Sequence, residues 1–321
     1  METDCTQIPP FQPAPWCLNG HFHTIGRSLL STSAKPPHRR IEIPTPDDDF
    51  LELDLCEGVR DSDGRPVVAL FHGLEGSTDR FYMTEMMNLI YQKGWTAVGV
   101  NFRGCGSRMN RRRRFYHSGE TADYATVFEW IGREYPGRPL GAVGFSLGGN
   151  ALLKSMGEQA ERHPVDAAVA VSVPYDLALG ARVISEGFNR VYEYRFLRTL
   201  RKKLAEKRRI YPDLPTFSGS TLYEFDDQVT SRVHGFRDAD HYYESCSSVR
   251  FVGRIRRPAL LIHSREDPIC PASAMPADAI RDNDALSYVL TSEGGHVGYW
   301  SRPQGWINRS IGTYLENRLQ P

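Results

Sequence analysis

Ser146 sits at the centre of Gly144-Phe145-Ser146-Leu147-Gly148, a G-x-S-x-G pentapeptide in a chain of 321 residues. A serine hydroxyl is a poor nucleophile at neutral pH. It attacks a carbonyl only when an imidazole takes its proton and a carboxylate orients that imidazole. The pentapeptide recurs by chance, so its flanks decide its meaning. The apolar run Leu140 to Val143 precedes it, and Gly149-Asn150-Ala151-Leu152-Leu153-Lys154 reads as the start of a helix. Strand, sharp turn and helix together present a serine on a strained backbone, with glycines on either side letting strand and helix pass closely.

In a nucleophile elbow of this kind the acid and then the base follow the serine along the chain. Five histidines do so: His163, His234, His241, His263 and His296. His163 lies in Glu161-Arg162-His163-Pro164 and reads as a surface residue at a helix end. His263 closes the apolar strand Ala259 to Ile262, where a structural role is expected. His234 and His241 fall in a segment without strand character. His296 lies in Glu293-Gly294-Gly295-His296-Val297-Gly298, a glycine-rich loop after the last expected strand, and a flexible loop can carry an imidazole over the sheet edge. His296 is the expected base. For the acid, Asp267 in Ser264-Arg265-Glu266-Asp267-Pro268 follows the strand that precedes the His296 loop. Asp176, in Val173-Pro174-Tyr175-Asp176, and Glu266 are the competitors, and proximity to the histidine loop favours Asp267.

Acyl transfer also requires donors for the developing oxyanion, worth about 3 kcal/mol each in such sites. The segment Phe71-His72-Gly73-Leu74-Glu75-Gly76 directly follows a strong strand run, where a second oxyanion N–H belongs. The expected donors are the backbone N–H groups of Leu74 and Leu147.

The elements that must hold these groups follow from hydrophobic patterning. Short apolar runs, Val67 to Phe71, Thr96 to Asn101, Leu140 to Phe145, Asp166 to Val173, Ala259 to His263 and Leu286 to Leu290, alternate with segments of helical period such as Phe81 to Lys93 and Thr121 to Glu134. That alternation predicts an α/β fold with a mostly parallel central sheet covered by helices on both faces. It stops between Leu177 and Arg257, where about 80 residues show helical and polar character; a structureless loop of that length is improbable in a compact domain. The expected organisation is a core over 40–177 and 257–321, interrupted by an inserted helical lid over 178–256. A Pro-rich arm over 1–39 is expected to pack on the core, because Phe11, Trp16, Phe22, Leu29 and Leu30 would otherwise lie in water.

Several segments together resemble one branch of the α/β-hydrolase superfamily, the YheT-like hydrolases (AB hydrolase 4 family). They are 71–77, Asn101-Phe102-Arg103-Gly104-Cys105, Tyr116-His117-Ser118-Gly119-Glu120-Thr121, 144–150, Glu224-Phe225-Asp226-Asp227, Asp267-Pro268 and Gly294-Gly295-His296-Val297-Gly298. The resemblance runs from about Trp16 to near the C-terminus. It implies an α/β-hydrolase fold, a charge-relay triad on Ser146, Asp267 and His296, and a serine hydrolase of the carboxylesterase type acting on small-molecule or lipid-like esters. A lipid acyltransferase or thioesterase on the same triad, and a non-catalytic ligand-binding protein, are the alternative readings. Gly106-Ser107-Arg108-Met109 replaces the branch's usual Ser-Gly-Glu-Pro and is expected to alter one pocket wall. Glu266 stands where Asp is common. Ser301 stands where the aspartate of an H-x-x-x-x-D acyltransferase pattern would follow His296.

Other chemistries find less support. Lys and Arg number 39 against 39 Asp and Glu, and this neutrality disfavours a dedicated nucleic-acid binder. No 18-residue apolar stretch predicts a membrane-spanning helix, and Met1 to Pro15 shows no secretory pattern. The six scattered cysteines suggest reduced thiols and a cytoplasmic location. His21-Phe22-His23 places two imidazoles on one face of a strand, without further metal ligands nearby. Arg103-Gly104-Cys105-Gly106 fails the dinucleotide fingerprint because Met109 stands at the third glycine position. No metal and no cofactor is therefore expected. The basic segment Arg195 to Arg209, beside Phe196, Leu197, Leu200 and Leu204, reads as a lid helix with one solvated basic face. Peripheral contact with an anionic membrane is the less favoured reading.

Overall fold

The computed structural model describes residues 8–31, 33–58 and 64–320. Eight strands form one sheet: β1 (Arg39–Pro44), β2 (Phe50–Cys56), β3 (Val67–Phe71), β4 (Thr96–Asn101), β5 (Leu140–Phe145), β6 (Ala167–Val171), β7 (Ala259–Ser264) and β8 (Leu286–Thr291). Their spatial order is β1-β2-β4-β3-β5-β6-β7-β8. The pairs β1/β2 and β2/β4 are antiparallel and every other pair is parallel.

The helices are α1 (Gly20–Leu30), α2 (Phe81–Gln92), α3 (Ala122–Glu134), α4 (Leu147–Gln159), α5 (Leu177–Ile184), α6 (Arg190–Ile210), α7 (Leu222–Phe225), α8 (Ser231–His234), α9 (Ala239–Cys246), α10 (Ala277–Arg281) and α11 (Trp306–Leu319). The central strands β3 to β7 are buried along their whole length and mostly apolar because both faces are covered, and period 2 divides each strand between two cores. Val67, Ala69 and Phe71 of β3 join α3 and α4 through Tyr124, Val127, Leu152 and Met156 on one face. Val68 and Leu70 join α2 and α11 through Met83, Met87, Trp306 and Ile311 on the other.

The antiparallel edge is absent from the apolar runs of the sequence. In β2, Leu51, Leu53 and Leu55 enter the core while Glu52 and Asp54 are also buried. Asp54 accepts from Arg40 Nε at 2.6 Å and Lys35 Nζ at 2.6 Å, so charge pairing permits its burial. The departing segment 106–109 ties to this edge: Ser107 N–H donates to Glu52 at 2.7 Å and Arg108 pairs with Glu42. These contacts hold Ser107 and Arg108 on the sheet edge, while Met109 packs against an apolar cluster that includes Phe115 and Leu197.

The N-terminal arm carries a helix where an irregular segment was expected, although 1–7 lie outside the described residues. Asn19 caps α1 by accepting the N–H groups of His21 and Phe22 at 3.0 and 3.2 Å. His21 and His23 therefore lie on a helix, not a strand, and diverge. His21 Nδ1 is 3.0 Å from Tyr192 Oη, whereas buried His23 accepts the Trp300 N–H at 3.0 Å. The arm also docks at the far end of the chain, where Trp306 Nε1–H donates to Pro9 O at 2.6 Å and Phe11 packs edge-on to Tyr299.

Between β6 and β7 the described residues form α5 to α9, a π-helical turn (Asp226–Thr230) and short 3₁₀ turns, with no strand. This helical insertion has its own apolar clusters, one joining Leu197, Leu204, Phe225 and Val229 to Phe115. Its basic helix α6 is not a uniformly solvated face. Lys207 is fully buried and donates to the backbone and side-chain oxygens of Asn110, both at 2.7 Å, while Lys203 pairs with Glu75 at 2.6 Å. His163 is likewise buried and not a surface residue: its Nε2 lies 3.2 Å from Ser155 Oγ, and burial lowers its pKa to about 4. Among the described residues no helix is long and apolar enough to cross a membrane.

Candidate active site

The backbone at Ser146 explains its two glycines. Ser146 stands between β5 and α4 with φ +54° and ψ −121°, and its N–H donates to Val171 O at 2.8 Å. A Cβ at Gly144 would lie 2.6 Å from Gly148 O, and one at Gly148 would lie 2.5 Å from His72 O. No side chain fits at either position, so strand and helix close on each other and the serine is pushed out of the turn.

His296 and Asp267 come from the loops after β8 and β7. His296 Nε2 is 2.9 Å from Ser146 Oγ, and its Nδ1 is 2.9 Å from Asp267 Oδ2 and 3.2 Å from Oδ1. The carboxylate only accepts, so Nδ1 carries the proton and Nε2 presents a lone pair to the serine hydroxyl. Asp267 Oδ1 also accepts the N–H groups of Ile269 and Cys270, each at 2.9 Å. Burial pushes the Asp267 carboxyl up, but the charge and hydrogen bond of His296 outweigh it and hold the group below the usual carboxylate range.

The other candidates lie elsewhere. Asp176 caps α5, with Oδ1 accepting Leu179 N–H at 3.0 Å. Glu266 is exposed. Buried His263 donates from Nε2 to Cys270 O at 2.9 Å, a structural role as expected. His234 lines a cavity on the insertion side, and His241 Nδ1 accepts Arg237 N–H at 3.2 Å.

Gly73 and Leu74 close over the elbow: a Cβ at Gly73 would lie 3.1 Å from Ser146 Cβ. The N–H groups of Leu74 and Leu147 have no acceptor among the described residues. Ser146, Leu74 and Leu147 line one cavity, and Ser146, Leu74 and His296 line an adjoining one. The turn carrying Leu74 is held from below by His72, whose Nε2 accepts Phe102 N–H at 3.2 Å, leaving Nδ1–H to donate to Gly73 O at 2.7 Å. Burial lowers the His72 pKa to about 3, so the ring stays neutral.

A family model of the alpha/beta hydrolase fold matches residues 66–303. YheT of Escherichia coli (strain K12) is 36% identical over 97% of this chain and 94% of its own length. The chain belongs to the α/β-hydrolase superfamily, in its YheT-like branch. Phospholipase ABHD3 of Homo sapiens is 26% identical over 97% of this chain and 79% of its own. Among solved structures, the Pyrococcus furiosus esterase Pf2001 shares the fold with a TM-score of 0.60 at 16% identity, covering 90% of this chain and 98% of that one.

Within this α/β-hydrolase site, three supports escape a reading of the sequence. Thr24 of α1 accepts the His296 N–H on Oγ1 at 2.8 Å. Tyr116 Oη accepts Glu75 N–H at 2.7 Å and donates to Glu75 Oε1 at 2.8 Å, and Lys203 of the insertion reaches the same oxygen, so the turn beside Leu74 is gripped from two sides. Cys270 lines a cavity with Ser146 and donates its N–H to Asp267 Oδ1 at 2.9 Å. Thr, Tyr and Lys are common everywhere, and only the fold brings these ones to the site.

Proposed function

We propose that the protein is a serine esterase that cleaves carboxylic esters through an acyl-enzyme. One observation carries the reading: a serine on a strained elbow, an imidazole and a buried carboxylate linked by two hydrogen bonds of 2.9 Å. Ser146 Oγ attacks the acyl carbonyl as its proton passes to His296 Nε2. Asp267 holds Nδ1–H and stabilises the imidazolium. The negative charge on the carbonyl oxygen is met by the N–H groups of Leu74 and Leu147, each worth about 3 kcal/mol in the transition state. Collapse breaks the acyl–oxygen bond, and His296 gives its proton to the departing alcohol. Water then attacks the acyl-serine by the same route, releasing the acid and restoring Ser146. No cofactor enters this cycle.

A lipid-like ester suits the surroundings. The cavity holding Ser146 and Leu147 is walled by Leu177, Ile184, Phe196 and Leu222 of the insertion, which acts as a lid. The name phospholipase for the relative ABHD3 points the same way. The test is labelling by a fluorophosphonate together with a series of p-nitrophenyl esters of rising chain length. Wild type should label and turn over, and Ser146→Ala should do neither. A wild-type protein that neither labels nor cleaves any ester would overturn the reading.

A further inference from the structure

One side chain at the site has no part in this cycle. Cys270 is 3% exposed, three positions beyond Asp267 in the same turn. Its backbone is fixed at both ends, since Cys270 N–H donates to Asp267 Oδ1 at 2.9 Å and Cys270 O accepts from His263 Nε2 at 2.9 Å. Cys270 and Ser146 line one cavity. One donor atom each from Asp267, Cys270 and His296 lie within 4.8 Å of one another.

We propose that Asp267, Cys270 and His296 form a binding site for a thiophilic divalent cation, of which zinc is the representative. Carboxylate, thiolate and imidazole are the donor types zinc selects, and three protein ligands leave a fourth tetrahedral position for water. Charge balance favours the same ion. One thiolate and one carboxylate neutralise a dication, so no net charge is buried. Binding forms the metal–sulfur bond and releases the thiol proton to solvent. Magnesium and calcium, which demand oxygen ligands, are excluded by the sulfur.

Binding depends only on the three donors. Its consequence for turnover rests on the esterase reading above: Asp267 lies on the Nδ1 side of the ring, so a metal shared with Asp267 takes Nδ1 and leaves the remaining ring proton on Nε2, where His296 can no longer accept the serine proton. Zinc should therefore inhibit, reversibly on addition of EDTA, and magnesium should not.

Cobalt(II) serves as the spectroscopic probe on the full chain. Wild type should show a thiolate-to-cobalt charge-transfer band that zinc displaces. Cys270→Ser should lose the band and weaken zinc inhibition by more than about tenfold. His296→Ala, which keeps every cysteine, should weaken cobalt binding and so covers the case in which the cysteine variant does not fold. A band that persists in Cys270→Ser, or one that His296→Ala leaves at full strength, would place the metal elsewhere and overturn the site. A band present in wild type without zinc inhibition would leave the site standing and overturn the role of His296 as base.

Discussion

Asp267 and Asp176 each follow a strand of the sheet, and what their oxygens accept separates them. Asp176 spends its carboxylate on a helix N-terminus, while Asp267 faces an imidazole N–H. Asp267→Asn presents an amide that can donate to Nδ1, which favours the wrong histidine tautomer; turnover should fall by about 10⁴ with little change in KM. Asp176→Asn keeps an acceptor for the cap and should retain most activity. Steady-state kinetics of the two variants decide the matter, and the reverse ranking would move the acid to Asp176. These side chains were legible in the sequence because elbow, strand end and glycine loop each carry a local signature. Cys270 was not, since a lone cysteine six residues past a strand carries no mark of what it faces.

At the scale of elements, the parallel strands could be read from their apolar runs, because burial on both faces of β3 to β7 keeps most positions apolar. The β1–β2 edge could not, because Glu52 and Asp54 give it a polar face whose burial depends on partners remote in sequence. The π-helical turn between α7 and α8 was equally hidden. It turns Asp226 inward to accept from Thr230 Oγ1 and Tyr243 Oη, both at 2.7 Å. Burial raises its pKa from 3.8 to about 6 in spite of those donors. Below pH 3.8 the carboxyl is protonated in both folded and unfolded chains, and its favourable contribution is complete. Between there and about pH 6 the unfolded chain has released the proton that the native state keeps, so stability falls as pH rises and levels off above. The total is about 3 kcal/mol. Asp226→Asn carries no such proton, so its stability relative to wild type should improve by about 2 kcal/mol between pH 4 and pH 7. Urea unfolding of both proteins at the two pH values measures the change, and a constant difference would show that Asp226 titrates normally.

The whole molecule explains why the histidine loop is rich in glycine. The sequence suggests flexibility, but the loop is packed: a Cβ at Gly295 would lie 2.5 Å from Thr24 Oγ1, and one at Gly298 would lie 2.3 Å from His23 O. Glycine is needed because α1, from the opposite end of the chain, lies directly on the loop and supplies the acceptor for the His296 N–H. The arm thus forms part of the framework of the proposed site, joined to His296 by a contact spanning 272 positions, a separation that no local pattern encodes. Thr24→Val keeps the shape and removes the acceptor, leaving a buried N–H unpaired at a cost of about 1–3 kcal/mol. Relief comes from a shift of the loop, and about 1 Å of displacement at the base can cost about 10²-fold in rate. Thr24→Val should therefore lower kcat by about 10- to 100-fold and slow fluorophosphonate labelling in parallel, with KM nearly unchanged. Thr24→Ser, which restores the hydroxyl, should recover most of the rate. A Thr24→Val enzyme that unfolds more easily yet labels at the wild-type rate would reduce α1 to a packing element, with the histidine loop holding its geometry unaided.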